Sequence, residues 1–151
     1  MKSVFWFRRD LRLQDNEALA AAFSESEAVA AVYIANASEY HALEGIRQHS
    51  LTESLKSLSK DTGNQLNVYR TESLEESANV LVSAALEWGS NKVFATESFD
   101  PKGINEQVFV AKFLESKGIS LHLLGSNYAV KPGTVRKPDG TNYRVYTPFY
   151  K

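Results

Sequence analysis

Cysteine is absent from the chain. That excludes disulfides, thiolate metal sites and cysteine nucleophiles, and it fits a reducing compartment. Long apolar runs are absent too: none approaches the ~20 residues needed to span a bilayer. The opening MKSVFWFRRD places only a short apolar run before two arginines, a strand rather than a signal peptide. Neither sign of charge prevails, with a net charge of −1, so no global field draws the chain onto nucleic acid or an acidic membrane. A cytoplasmic protein with no membrane partner is the expectation. Familiar active-site motifs are missing as well. The turn after the first apolar run reads FRRDLRLQDN, with side chains where a dinucleotide phosphate needs bare backbone. There is no G-x-G-x-x-G, Walker A loop, H-E-x-x-H or G-x-S-x-G. His41, His49 and His122 stand apart in the sequence. No metal site and no catalytic constellation are expected in this chain by itself.

What is present is ordinary for one soluble domain: 151 residues, 43% hydrophobic and 23% charged, enough to bury a core without staples. Short β-prone apolar runs occupy Ser3–Phe7, Ala28–Ile34, Leu66–Tyr69, Lys92–Thr96 and Ile119–Leu124. Between them the spacing turns helical. A first helix starts near Asp15 and Asn16 and presents Leu19, Ala22 and Phe23. A second carries Leu43, Ile46, Leu51, Leu55 and Leu58 and ends at Asp61-Thr62-Gly63, a C-cap glycine pattern. The clearest stripe is Leu74, Ala78, Leu81, Ala85 and Trp88; the last is Ile104, Val108, Ala111 and Leu114. Apolar strands alternating with amphipathic helices imply an α/β fold with a parallel sheet covered on both faces. Right-handed crossovers then predict a doubly wound, Rossmann-like five-stranded sheet in the order 3-2-1-4-5. The α/β unit is expected over residues 1–125. An irregular extension over 126–151 follows, marked by Pro132, Gly133, Pro138 and Gly140.

In open α/β sheets ligands sit beyond the carboxyl ends of the strands, where the strand order reverses. That crevice is predicted between the first and fourth strands. Arg8, Arg9, Asp10 and Arg12 come from the first, Glu97, Ser98, Phe99 and Asp100 from the fourth, Asn36 from the second and Arg47 from the helix after it. The candidate ligand-binding set is Arg9, Asn36, Arg47, Glu97, Ser98 and Asp100. Cations facing acids across a crevice can orient a polar, planar ligand. They can equally pair with each other or with a neighbouring domain. His49 is placed to border the crevice, and His122, inside a strand, reads as structural.

The segment VFWFRRDLRLQDNEAL resembles the opening of the DNA photolyase and cryptochrome family, in which an apolar strand runs into R-R/x-D-L-R and then D-N-x-A-L. The closing PDGTNYRVYTPFYK is similar to the family's G-x-x-Y-x-V-[FY]-T-P-F. The resemblance implies the family's N-terminal α/β domain, which in many members holds a light-harvesting antenna: 8-hydroxy-5-deazaflavin, methenyltetrahydrofolate or a flavin. It implies that FAD belongs to a helical C-terminal domain beyond this chain, and that damaged DNA is met through that domain. The implied activity is light-dependent repair of cyclobutane pyrimidine dimers. A cryptochrome-type blue-light photoreceptor is the alternative, and a free-standing nucleotide- or flavin-binding module a third reading. By position, Arg47 matches an arginine that faces the chromophore in deazaflavin-binding relatives, and Asp100-Pro101 an acidic-Pro step lining the same pocket. The chain departs from the pattern at Asn36-Ala37, where an Asp-Pro is usual, and at Ile104-Asn105, where Arg-Asp is common. The aromatic residues Tyr143, Tyr146, Phe149 and Tyr150 are expected to pack against the helical domain or, without it, to be mobile in solution or buried only against a second copy of the chain.

Overall fold

The computed structural model describes residues 1–142. β1 (Lys2–Phe7) leads through α1 (Glu17–Glu25) to β2 (Ala28–Asn36). Two helices follow, the short α2 (Ala37–His41) and the longer α3 (Gly45–Asp61), and then β3 (Leu66–Thr71). The chain closes with α4 (Leu74–Trp88), β4 (Lys92–Thr96), α5 (Pro101–Glu115) and β5 (Ser120–Leu124). The sheet has five strands in the order β3-β2-β1-β4-β5, and every pairing is parallel. The doubly wound, Rossmann-like arrangement expected from the alternation of elements is the one found.

Alternation along the central strands builds two cores. Val4, Trp6, Val32, Val93 and Ala95 pack under α4 and α5 with Ala78, Leu81, Ala85, Val110 and Leu114. Phe5, Phe7, Tyr33 and Phe94 point the other way, onto Ala18, Leu19 and Ala22 of α1 and Leu58 of α3. Phe5 and Phe7 meet edge-on, their rings 4.6 Å apart. Each such aromatic, fully buried, contributes about 1.5–3 kcal/mol. Both clusters take side chains from β1, β2 and β4, and they hold the carboxyl ends of β1 and β2, where the site lies.

Three of the longer helices carry side-chain N-caps. Asn16 caps α1, its side chain accepting from the Leu19 amide at 3.0 Å. Ser73 caps α4, and Gly89 ends it at φ 67°, a backbone conformation glycine adopts without steric cost. Asp100 caps α5, with Pro101 in the first turn, where its missing N–H costs nothing.

The apolar stripe of α5 differs from the expectation by one position. Gly103, Gln107, Val110 and Leu114 face inward, while Ile104 and Val108 remain 40% and 48% exposed. The reason is steric and polar: a glycine admits close approach to the β4 exit, and Gln107 is drawn in by hydrogen bonds. On α3, Ile46 is 85% exposed, because the helix lies shallow and buries only Leu58 fully. On α1, Phe23 is exposed although Leu19 and Ala22 are buried. As the outer strand of its side of the sheet, β3 has several exposed positions, so it is not a continuously buried run. α2, too short for a period, had no signature in the sequence.

Residues 125–142 contain no helix or strand. Their first part does not depart from the sheet but folds over the β4 exit. Tyr128 meets Phe99 edge-on at 6.3 Å, and Lys131 Nζ lies 2.8 Å from Glu97 Oε2. The aromatic positions Tyr143, Tyr146, Phe149 and Tyr150 lie outside the described residues. Among those described, no helix is long and apolar enough to cross a membrane.

Candidate functional site

Two consecutive arginines leave β1 and go to different places. Arg8 turns inward, its side chain only 5% exposed. It donates to Thr96 O (3.3 Å), Gln107 Oε1 (3.1 Å) and Gly103 O (3.1 Å), and pairs with the Glu106 carboxylate. Its guanidinium also lies 4.9 Å from the Trp6 ring centroid. Gln107 in turn accepts from the Ser98 amide at 2.9 Å and donates to the Ser98 carbonyl at 3.2 Å. Asp10, also buried, accepts from Asn16 Nδ2 at 3.0 Å and from the Thr96 hydroxyl. These bonds stitch the ends of β1 and β4 together. Arg8 and Asp10 fill the part of the predicted crevice over Thr96 and Gly103, and a hollow of about 550 Å³ remains beside it, between Arg12, Asn16, Thr96 and Tyr128.

Arg9 turns outward and forms a two-pronged contact with Asp100, at 2.7 and 3.3 Å. The Gly103 amide, reinforced by the Arg9 charge, holds the Asp100 carboxyl below its ordinary value. Asp100 is thereby committed to capping α5 and fixing Arg9.

A second space lies one strand over. A pocket of about 150 Å³ sits at the carboxyl ends of β1 and β2, walled by Trp6, Tyr33, Tyr40, Leu43 and Leu51 with polar groups from Arg8, Arg9, Asn36, Glu39, Lys102 and Glu106. Burial, with the charges of Glu39 and Glu106, raises the Tyr33 phenol above its ordinary value, so it remains a hydrogen-bond donor. Asn36 Oδ1 accepts from Ser38 Oγ (2.6 Å) and the Glu39 amide (3.2 Å). That cap leaves the Asn36 Nδ2 edge without a partner among the described residues. Apolar walls with a few oriented polar groups are what a flat heteroaromatic ligand needs.

The six residues singled out in the sequence therefore divide. Arg9 and Asn36 line this pocket. Ser98 is buried behind Gln107, Asp100 caps α5, and Glu97 is held by Lys131. Arg47 lies exposed in the first turn of α3, and it is Leu51 of that helix that reaches the pocket. The expected position of a ligand, between the ends of the first and fourth strands near Arg47, Ser98 and Asp100, differs from this pocket, which those three residues do not line. His49 is exposed on α3 and does not line the pocket. His122 stacks on Phe94 at 4.8 Å. Sequence reasoning missed Tyr33, Glu39, Tyr40 and Lys102; a polar cluster just after the second strand, Asn36 to Tyr40, was the available signal. Among the described residues no group of His, Cys, Asp and Glu could hold a metal ion.

A larger, open groove of about 650 Å³ runs along α1 and the end of α3, between Phe7, Leu13, Phe23 and Asp61. It opens along the face of the sheet and not at the strand ends. The strand-end rule for open α/β sheets admits both the smaller pocket and the hollow at Thr96, and the smaller one has the aromatic walls that a flat ligand needs.

Residues 3–151 match the family model of DNA photolyase. The chain belongs to the DNA photolyase family. This photolyase-family chain is 32% identical over 98% of its length to a deoxyribodipyrimidine photo-lyase of Agrobacterium fabrum, and 31% identical over 97% to one from Vibrio cholerae. It is also 29% identical, over 87% of its length, to cryptochrome-1 of Sinapis alba. It spans only 30% and 32% of the lengths of the two photo-lyases. Among solved structures it resembles a bacterial class III photolyase from Agrobacterium tumefaciens, with a TM-score of 0.83 and 28% identity. The match covers 99% of this chain and 30% of that one. An archaeal photolyase from Sulfolobus tokodaii superimposes with a TM-score of 0.77 and 28% identity, over 99% of this chain and 34% of that one. That protein is described with two FAD molecules and the implication of a novel light-harvesting cofactor.

Proposed function

We propose that this chain is the antenna-holding N-terminal region of a deoxyribodipyrimidine photolyase, which repairs cyclobutane pyrimidine dimers in DNA with light. The observation that carries the reading is the pocket at the ends of β1 and β2, with aromatic walls and an oriented polar rim. The second light-harvesting cofactor implied for the Sulfolobus relative supports it. In this reading residues 1–125 form the antenna unit, and 126–151 lead towards a helical domain that carries FAD and meets the damaged DNA. A bound antenna would absorb light and pass excitation to that FAD. This chain's own residues would bind and orient it: Trp6, Tyr33 and Tyr40 against its rings, Arg9 and Asn36 Nδ2 at its polar edges.

Titrating the chain with 8-hydroxy-5-deazaflavin, methenyltetrahydrofolate and FMN, followed by ligand fluorescence, tests this. At least one ligand is expected to bind with micromolar affinity or better. Asn36→Ala should weaken it about 3- to 10-fold, the worth of one neutral hydrogen bond, while Arg47→Ala leaves it within about twofold. Binding of none of them, or weakening by Arg47→Ala alone, would sink the site as placed. The cryptochrome relative supports a second reading, the same region of a blue-light photoreceptor. Dimer repair by a longer protein containing this chain would decide against it.

A further inference from the structure

The pocket is smaller than the ~300–1,000 Å³ that ligand sites occupy, at about 150 Å³, so a wall must move before a ring system of flavin size enters. Resting on the reading that this pocket is the ligand site, the question is which wall. Three of them are rigid. Trp6 lies 2% exposed in β1, and Arg8 beside it is held by the bonds to Thr96, Gly103, Glu106 and Gln107. The start of α5 is locked: a Cβ added at Gly103 would stand 2.5 Å from Ser98 Cβ. Leu51 belongs to the 17-residue α3, which Leu51, Leu55 and Leu58 together anchor on the core.

The fourth wall is α2 and its link to α3, contributing Glu39, Tyr40 and Leu43. α2 is five residues long and buries only Ala37. Its side chains reach the rest of the molecule through Glu39 to Lys102 of α5 (3.0 Å) and His41 to Arg70 of β3 (3.1 Å). The Tyr40 carbonyl also accepts from Gln48 Nε2 of α3 at 3.0 Å. At its far end Gly45 has open space around it. A short helix with one buried side chain and surface ties belongs to the low-stability end of a structure.

We propose that α2 is the gate of the pocket and that the Glu39–Lys102 pair is its latch, closed here and broken when a ligand enters. The pair joins two pocket-lining residues on opposite walls. Both partners are solvent-exposed, 49% and 67%, so the latch is weak and sensitive to salt. It controls access without demanding much of the ligand.

The test needs no ligand, so it remains decisive if the antenna reading fails. In a Trp88→Phe background Trp6 is the sole tryptophan, and its quenching by acrylamide reports opening of the pocket. Lys102→Gln and Glu39→Gln should each raise the quenching constant, by up to about fivefold, the ceiling for an exposed pair. About 0.5 M NaCl should do the same to the parent and nothing further to the variants. Amide exchange of residues 37–43 in the unaltered chain gives a second readout, expected to quicken with salt while α4 does not. Equal quenching in parent and both variants, or salt-independent exchange of residues 37–43, would overturn the gate whether or not a flavin binds. Where a ligand does bind, its association should accelerate in Lys102→Gln and its apparent Kd should tighten by the same factor, because the latch stabilises only the closed, empty state.

Discussion

Arg8 and Arg9 share a side chain and an address, yet one is structural and the other sits at the rim of the pocket. The difference is made by what the β4–α5 segment offers each. Arg8 meets buried carbonyls, Gln107 and Glu106; Arg9 meets only Asp100 at the surface. Arg8→Ala should destabilise the fold by about 3 kcal/mol, the low end for stranding one partner of a buried pair, since Glu106 keeps some solvent. A urea titration at neutral pH measures it. Gly103→Ala should act on the same junction, because its new Cβ would meet Ser98 Cβ and, at 2.7 Å, Asp100 Oδ2. The expected loss is about 1–3 kcal/mol, or roughly 2–12 °C in Tm. An unchanged Tm would mean that the β4 exit is looser than described. Asp100 contributes through pH. A carboxyl whose folded value is lowered stabilises the fold above its unfolded value and loses that contribution as pH falls through the folded one. Asp100→Asn keeps a competent cap but removes the charge beside Arg9. The stability gap between parent and variant should be present at pH 7 and shrink below about pH 4.

At the scale of elements, α4 was legible end to end and α2 not at all. The sequence of α4 states its own boundaries: Ser73 before a stripe at four- and three-residue steps, Gly89 after it. Glu76 reaches back to the Glu72 amide at 2.7 Å, close to a capping box. Ser73→Ala should cost about 1 kcal/mol through the lost bond to the Glu76 amide, a clean check because Ser73 touches no part of the pocket. α5 was half legible. Its existence was legible in the spacing of Ile104, Val108, Ala111 and Leu114, but its inward face was set by Gly103 and Gln107, which no hydrophobic pattern selects. The same holds for the site. Its side of the sheet followed from strand order, whereas its position over β1 and β2 followed from where Trp6, Tyr33 and Tyr40 gather.

At the scale of the molecule the charge is divided. Residues 1–125 carry 12 basic and 17 acidic side chains, and residues 126–151 carry 5 and 1, so a net −5 adjoins a net +4. Part of that attraction is already satisfied in Lys131 and Glu97. The division bears on DNA. A polyanion is repelled by the α/β unit and attracted only by the extension, where at most five cations can reach phosphates. Counterion release then allows a slope of log K against log salt no steeper than about −4.5 for duplex DNA. Affinity at ~0.15 M salt should be no better than the non-specific range of about 10⁻⁴–10⁻⁶ M, with no preference for DNA containing a dimer, because base or lesion readout needs contacts beyond phosphate. Fluorescence anisotropy with matched intact and dimer-containing duplexes, repeated at several salt concentrations, measures both quantities. A clear preference for the lesion by this chain would locate damage recognition within these 151 residues, and would overturn its assignment to the remainder of the longer photolyases.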